Sequence, residues 1–338
     1  MTTTDTIAPA ETEQRIIGMI QAINEALDVA MSIDDTVFEL GEDIQDPAGG
    51  GFHVHQGLST KFGLDRVRPT PISEQAIMGT AVGAAITGMR PVAEIMLMNF
   101  MAVAADQLIN HAAKLRYMSG GQTKVPLTVR TTTGAGGGFG AQHRDMHESP
   151  LTHTPGLKVV VPSTAADAKG LLLSSIFDDD PVVFVEMFML YFTQKGHVPE
   201  GDYRVPLGTL RTAREGKDVT LISWGRQVHD AVTAAEKLAA DGIDAEVIDL
   251  RTLVPLDRDA MLEAVSSTKR AVIVHEAVRR GGYGAELSST INEELFGQLE
   301  RPVLRVAAPN TPVPYARNLE AEFLPGAGDI EAAVRSMF

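Results

Sequence analysis

Apolar residues recur along this chain with two alternating periods. From Arg15 to Met31 they fall at Ile16, Ile20, Ile23, Leu27 and Ala30, the one-sided stripe of a helix, and Thr36 to Leu40 reads as a short strand ending at Gly41-Glu42-Asp43. A very apolar helix of small residues follows over Ala76 to Gly88. The spacing then predicts a strand over Val92 to Met96, a helix over Met101 to Met118 closed by Gly120-Gly121, and strands over Val125 to Arg130 and Lys158 to Val161. A helix over Thr164 to Phe177 and a strand over Val182 to Glu186 complete one unit. Between Gln194 and Leu207 the period lapses into Gly, Pro and charge, which marks a linker at 196–207. Beyond it, strand Val219 to Ser223, helix Gln227 to Ala240, strands Glu246 to Leu250 and Ala271 to His275, helix Ala285 to Phe296 and strand Val303 to Val306 form a second unit. Strands alternating with crossover helices predict parallel sheets covered on both faces. The expected architecture is α/β, two doubly wound domains at 14–195 and 208–338, with ligands beyond the carboxyl ends of the strands.

Composition narrows the class. Of 338 residues 44% are hydrophobic, enough for two cores, no stretch resembles a membrane span, and cysteine is missing, so no disulfide contributes. Met1 to Glu13 are polar, lack arginine and carry Asp5, Glu11 and Glu13. They read as a flexible tail over 1–13 rather than a signal or transit peptide, which makes the chain cytoplasmic by expectation. Lysine and arginine total 29 against 44 aspartates and glutamates, a formal net charge of −15. That excess argues against nucleic acid or an anionic membrane as partner; it allows a basic protein partner, and a solvated acidic surface is the plainer account.

Chemistry enters at Pro69-Thr70-Pro71-Ile72-Ser73-Glu74-Gln75, where a lone carboxylate stands between a proline-stiffened turn and the small-residue helix. Ser73 is a suitable N-cap, and Gly79 and Gly83 with Ala81, Ala84 and Ala85 let another helix come close, so Glu74 is expected to be buried and its proton tuned. A first-turn carboxylate answering the helix dipole is the plainer account. A second candidate, His143, follows the glycine-rich run Gly134 to Gly140, whose backbone can approach a ligand. Within that run Gly136 to Ala141 fits G-x-G-x-x-A, but a dinucleotide fingerprint must open a helix, and Gln142 to Pro150 has no helical period. His143, Asp145, His147 and His153 match neither H-E-x-x-H nor a Cys/His framework, so no catalytic metal is expected there. Gly281-Gly282-Tyr283-Gly284 does open a helix and could seat a phosphate, or simply make a tight packing turn.

The words G-E-D at 41, T-P-I-S-E at 70, R-P-V-A-E at 90, D-Q-L-I-N at 106, R-Y-M-S-G-G at 116, G-A-Q-H at 140, H-T-P-G-L-K-V-V at 153, V-I-D-L-R-T-L-V-P-L-D at 247 and T-P-V-P-Y at 311 keep a consistent spacing. Together they resemble the β subunit of the thiamine-diphosphate-dependent decarboxylating component of 2-oxo acid dehydrogenase complexes. R-T-T-x-G-A-G and V-P-E-G-D-Y-x-x-P-L-G are similar to its acetoin and pyruvate branches. The resemblance implies an N-terminal pyrimidine-binding transketolase-like domain and a C-terminal transketolase-type domain. It also implies roles. Glu74 hydrogen-bonds N1′ of the aminopyrimidine and favours the imino tautomer that takes the C2 proton. Phe100 lies against that ring, where a core residue is the alternative. Glu42 belongs to an acidic network linking cofactor sites, or caps a loop. His143 serves acyl transfer to lipoamide.

After His143 the family continues with Ser and small or aromatic residues. This chain instead reads Arg144-Asp145-Met146-His147-Glu148-Ser149, which adds charge at the expected mouth of the site. The family holds diphosphate and magnesium through G-D-G and a following Asn, and no G-D-G occurs here. The resemblance therefore implies thiamine diphosphate with Mg bound mainly by a separate α subunit in an α2β2 heterotetramer. It further implies a separate lipoyl-bearing dihydrolipoamide acyltransferase docked through a basic domain and, in some relatives, a structural potassium near Leu127 and Asp178. Two alternatives stand: half of a split transketolase-like ketol transferase, with His53, His55 and Arg144 for sugar phosphate, and a non-catalytic paralogue, against which Glu74 and His143 both speak.

Overall fold

The computed structural model describes residues 15–338, so the tail expected at 1–13 lies outside the described residues. Its strands are β1 (Ile16–Gly18), β2 (Val37–Glu42), β3 (Val67–Thr70), β4 (Arg90–Leu97), β5 (Thr128–Thr133), β6 (Lys158–Val160), β7 (Val182–Met187), β8 (Lys195–His197), β9 (Arg211–Arg214), β10 (Val219–Ser223), β11 (Ala245–Asp249), β12 (Thr252–Val254), β13 (Ala271–Val278) and β14 (Leu304–Ala308). One sheet runs β12-β6-β7-β5-β4-β2-β3, parallel except for β12 at its edge. A second runs β14-β13-β10-β11-β9, parallel except for β9. The α/β architecture of two doubly wound sheets is the one the alternating pattern predicts. Every residue of β5, β7 and β10 is buried, as a strand covered on both faces requires. No helix among the described residues is long and apolar enough to cross a membrane.

The departures from the predicted pattern are of three kinds. Ile16–Gly18, read as the head of the first helix, is a strand pairing antiparallel with Lys195–His197 at the start of the expected linker, and the helix begins at Met19. β12, from the second half of the chain, crosses back to join β6, with Thr252 opposite Val160. Both are three-residue strands paired over long sequence separations, too short to carry a period. Helix Arg258–Thr268 is outside the predicted pattern: its buried Met261, Val265 and Thr268 keep helical spacing, but only two of the three are apolar. The helix expected over Met101 to Met118 is present but widens into a π-type turn over Asp106–Ala112.

Candidate active site

The carboxyl ends of β2, β3, β4 and β5 gather the expected site residues at one edge of the first sheet. β2 ends on Glu42, which pairs in register with Thr70 at the end of β3, and the chain turns through Pro71, Ile72 and Ser73 into helix Glu74–Ile86. Burial pushes the Glu42 carboxyl above its usual range, and the charges of Glu74, Asp43 and Glu94 push it the same way, so this corner is acidic. β4 runs through Asn99 to Phe100, whose ring meets that of His143 edge-on with centroids 5.6 Å apart and planes at 74°. Asn99 makes that meeting possible: its Nδ2 donates to the Ala141 carbonyl (3.2 Å) and to Asp145 Oδ2 (3.0 Å), and its Oδ1 accepts from the Asp145 amide (3.2 Å).

Glu74 is not buried as expected. It is half-exposed, beside Ile72 at 83% exposure, and the Ser73 hydroxyl makes no capping hydrogen bond. The helix buries one face, Ile77, Met78, Ala81, Val82 and Ala85, while Ala76, Thr80 and Ile86 stay at the surface. Small residues on both faces look alike in a sequence. Of the two glycines, Gly79 faces Gln107 on the next helical segment, whereas Gly83 faces open space.

The glycine-rich loop does not cradle a dinucleotide. No helix follows until the short Glu148–Thr152 turn, and the loop amides are already taken. Gly136 N–H donates to Glu320 Oε1 (2.8 Å), Gly138 N–H to Glu320 Oε2 (2.9 Å) and Ala135 N–H to Glu276 Oε1 (2.5 Å). Two of the charges expected at the mouth, Arg144 and Glu148, turn inward instead, while His147 stays exposed and Asp145 half-exposed. Arg144 is buried, its guanidinium carbon 3.7 Å from the Phe188 ring centroid and 4.2 Å from that of Phe139, with no hydrogen-bond partner among the described residues. Burial lowers it to about 10, against the pull of Glu320, Tyr191 and Glu276, so it stays a cation near neutral pH. Glu148 is also fully buried, both oxygens without a hydrogen-bond partner among the described residues, and burial raises it to about 8. The aromatic cage supplies apolar faces for which an exposed loop has no equivalent.

Beneath the corner lies a polar network absent from the expectations. His55 is held between Glu39 and Glu94, its Nε2 donating to Glu94 Oε2 at 2.7 Å, and Arg130 donates to Glu94 (3.0 Å) and to both oxygens of Glu186 (2.7 and 2.8 Å). The Tyr191 hydroxyl closes the chain on Glu186. Burial opposes the His55 imidazolium, but Glu94 and Glu39 outweigh it and lift His55 to about 9. Burial likewise opposes the Glu94 carboxylate, and His55 with Arg130 outweighs it, down to about 2. The available signal was charge inside apolar strands, such as Phe38-Glu39-Leu40 and Val185-Glu186-Met187.

The remaining candidates are engaged elsewhere. Asp178 accepts from the Lys158 ammonium at both oxygens (2.7 and 2.6 Å), and the Leu127 carbonyl accepts from Val182 N–H (2.9 Å), so a potassium ion there would compete with protein donors. Among the described residues no group of three or more His, Cys, Asp or Glu side chains is placed to hold a metal. Gly282 and Gly284 lie against the buried His275 ring, where an added Cβ would sit at 2.7 and 2.6 Å, so this turn serves packing.

Residues 16–192 match the family described as transketolase, pyrimidine binding domain, and residues 208–330 that described as transketolase, C-terminal domain. The acetoin:2,6-dichlorophenolindophenol oxidoreductase subunit beta of Cupriavidus necator is 47% identical over 330 residues, 95% of this chain and 97% of that one. The protein of the same name from Bacillus subtilis is 46% identical over 92% of this chain and 94% of its own. The pyruvate dehydrogenase E1 component subunit beta of Rhizobium meliloti is 42% identical over 98% of this chain and 72% of its own. Among solved structures, a split gene transketolase described as an inactive beta4 tetramer superimposes with a TM-score of 0.76 at 25% identity, covering 95% of this chain and 98% of that chain.

Proposed function

Because the chain belongs to the transketolase-type β subunits of the acetoin and 2-oxo acid dehydrogenases, we propose that Glu74, Phe100 and His143 form the pyrimidine half of a thiamine diphosphate site. The observation that carries this reading is the convergence of a carboxyl corner, an aromatic ring and an imidazole on the carboxyl ends of adjacent parallel strands. The residues fit the group. Glu74 has a carboxyl open to a ring nitrogen, Phe100 a half-buried face for the aminopyrimidine, and Glu42 with Glu94 reinforces the negative field there. That same field repels a diphosphate, which agrees with the missing G-D-G: the diphosphate and magnesium would be held by an α subunit in an α2β2 heterotetramer.

When bound, thiamine diphosphate supplies the electron sink that lets a bond next to a carbonyl carbon break. Glu74 holds the hydrogen bond to N1′ and Phe100 fixes the ring plane. His143, beside Phe100 at the end of the glycine loop, orients the lipoyl arm of a separate dihydrolipoamide acyltransferase; as the dithiolane S–S bond breaks and one sulfur takes the acyl group, it would donate a proton to the other. The substrate is acetoin or a 2-oxo acid, and the reaction is cytoplasmic. A sugar-phosphate transferase is the weaker reading, because His53 bonds the Ala48 carbonyl, His55 is locked between carboxylates and Arg144 is caged by phenylalanines.

The test assembles the chain with its α subunit and screens acetoin, pyruvate and 2-oxoisovalerate with 2,6-dichlorophenolindophenol as acceptor. Glu74→Gln is expected to keep assembly and lower turnover at least ~10²-fold, since an amide cannot take the carboxyl's part at N1′. Activity within a few-fold of the parent would reduce Glu74 to a helix-start residue.

A further inference from the structure

A loop built of glycine has no side chains with which to hold its own shape. In the run before His143, that shape comes from outside. Gly136 and Gly138, with φ of +115° and +71°, turn their N–H groups toward a single carboxylate, Glu320, which accepts one bond at each oxygen (2.8 and 2.9 Å). Glu320 is 2% exposed and stands on helix Arg317–Phe323 of the C-terminal unit. Glu276 on β13, also of that unit, takes the Ala135 N–H (2.5 Å), and Tyr315 covers Gly140, where an added Cβ would meet its ring at 3.2 Å. Asn99 holds Ala141, between the loop and His143, and Asp145 on the far side of His143. His143 is thus strung between two anchors. A partly open space of about 90 Å³, bordered by Arg144, His147, Glu276 and Phe323, adjoins the segment that follows His143.

We infer that Glu320 is a positioning residue for His143: its carboxylate, set in the amide nest of the glycine loop, lets the C-terminal unit fix where the imidazole stands against Phe100. This rests on the proposed role of His143 in acyl transfer. A carboxylate can accept from both N–H groups, whereas a glutamine offers one acceptor and turns a donor on the other amide. Glu320→Gln should therefore release the loop while leaving the sheet beneath it intact. Glu320→Ala, which adds no opposing donor, serves as the second variant should the glutamine impair folding.

Hydrogen exchange on the assembled heterotetramer reads the amides of residues 134–140 directly, and protection is expected to fall at least tenfold in either variant while β5 and β7 keep theirs. The lipoamide-dependent rate should fall at least tenfold more than dye-coupled decarboxylation. Combining Glu320→Gln with His143→Ala should lose no more lipoamide-dependent rate than His143→Ala alone, because the two residues act through one imidazole. Unchanged loop exchange would overturn the inference, and so would independent, multiplying losses in the double variant. If His143→Ala has no effect on either assay, the acyl-transfer reading falls and with it the link to His143, whatever the exchange shows of the loop.

Discussion

Glu148 shows how one residue can carry a pH dependence. Its carboxyl is wholly buried, both oxygens without a hydrogen-bond partner among the described residues, and burial, with the nearby Glu276 charge adding to it, raises it to about 8 from 4.5. Below the unfolded value it is protonated in both states and costs little. Between the unfolded and folded values the unfolded chain loses the proton and the folded chain keeps it, so stability falls as pH rises through this window and levels off above it. Glu148→Gln keeps the shape and removes the titration. Calorimetry should give nearly equal melting temperatures for the two proteins at pH 4, below the unfolded value, and at pH 9 a variant more stable by at least about 1 kcal/mol, roughly 2 °C or more for a chain of this size. An equal melting point at pH 9 would mean that water or a partner reaches the carboxyl.

The ladder from Glu39 through His55, Glu94 and Arg130 to Glu186 joins β2, β4, β5 and β7 beneath the corner that holds Glu42. Parallel register sets Glu94 opposite Arg130 on the neighbouring strand, which is why charges far apart in sequence meet. Taking one partner from a buried ion pair leaves the other charge unsatisfied, at a cost of about 3–5 kcal/mol. His55→Leu strands Glu39 and leaves Glu94 to Arg130 alone, so its thermal midpoint should drop by at least about 5 °C at pH 6. The sign with pH follows from the raised His55 value. Its contribution is complete below the unfolded histidine range and is lost as pH rises through about 9, so the gap between parent and variant should close at high pH. A gap that widens with alkalinity would show His55 to be neutral in the fold.

At the level of the whole molecule, the site is an edge rather than a pocket. Glu74 is half-exposed, Ile72 projects beside it, and the corner gathers carboxylates where a diphosphate would need cations. Titration of the chain alone with thiamine diphosphate and magnesium should show no saturable micromolar binding and no turnover, and addition of the α subunit should restore both. Micromolar affinity with decarboxylation by the isolated chain would place the diphosphate ligands within these residues after all.

The sequence by itself determined the alternation of strand and helix, because most strands covered on both faces run apolar and their crossover helices show a stripe; Val219–Ser223 and Gln227–Ala240 fall where the period puts them, and the buried, threonine-rich Thr128–Thr133 is an exception. It also singled out Glu74, Phe100 and His143, whose neighbours carry turn, glycine and family wording. Tertiary structure alone decided what surrounds them. That Arg144 turns into a phenylalanine cage, that Glu320 fills the glycine loop's amides, and that Glu39, His55 and Arg130 pair below the sheet are contacts between residues distant in the chain. Local period records which face of an element is buried. It does not record which distant side chain waits on that face, because that depends on sheet order and register.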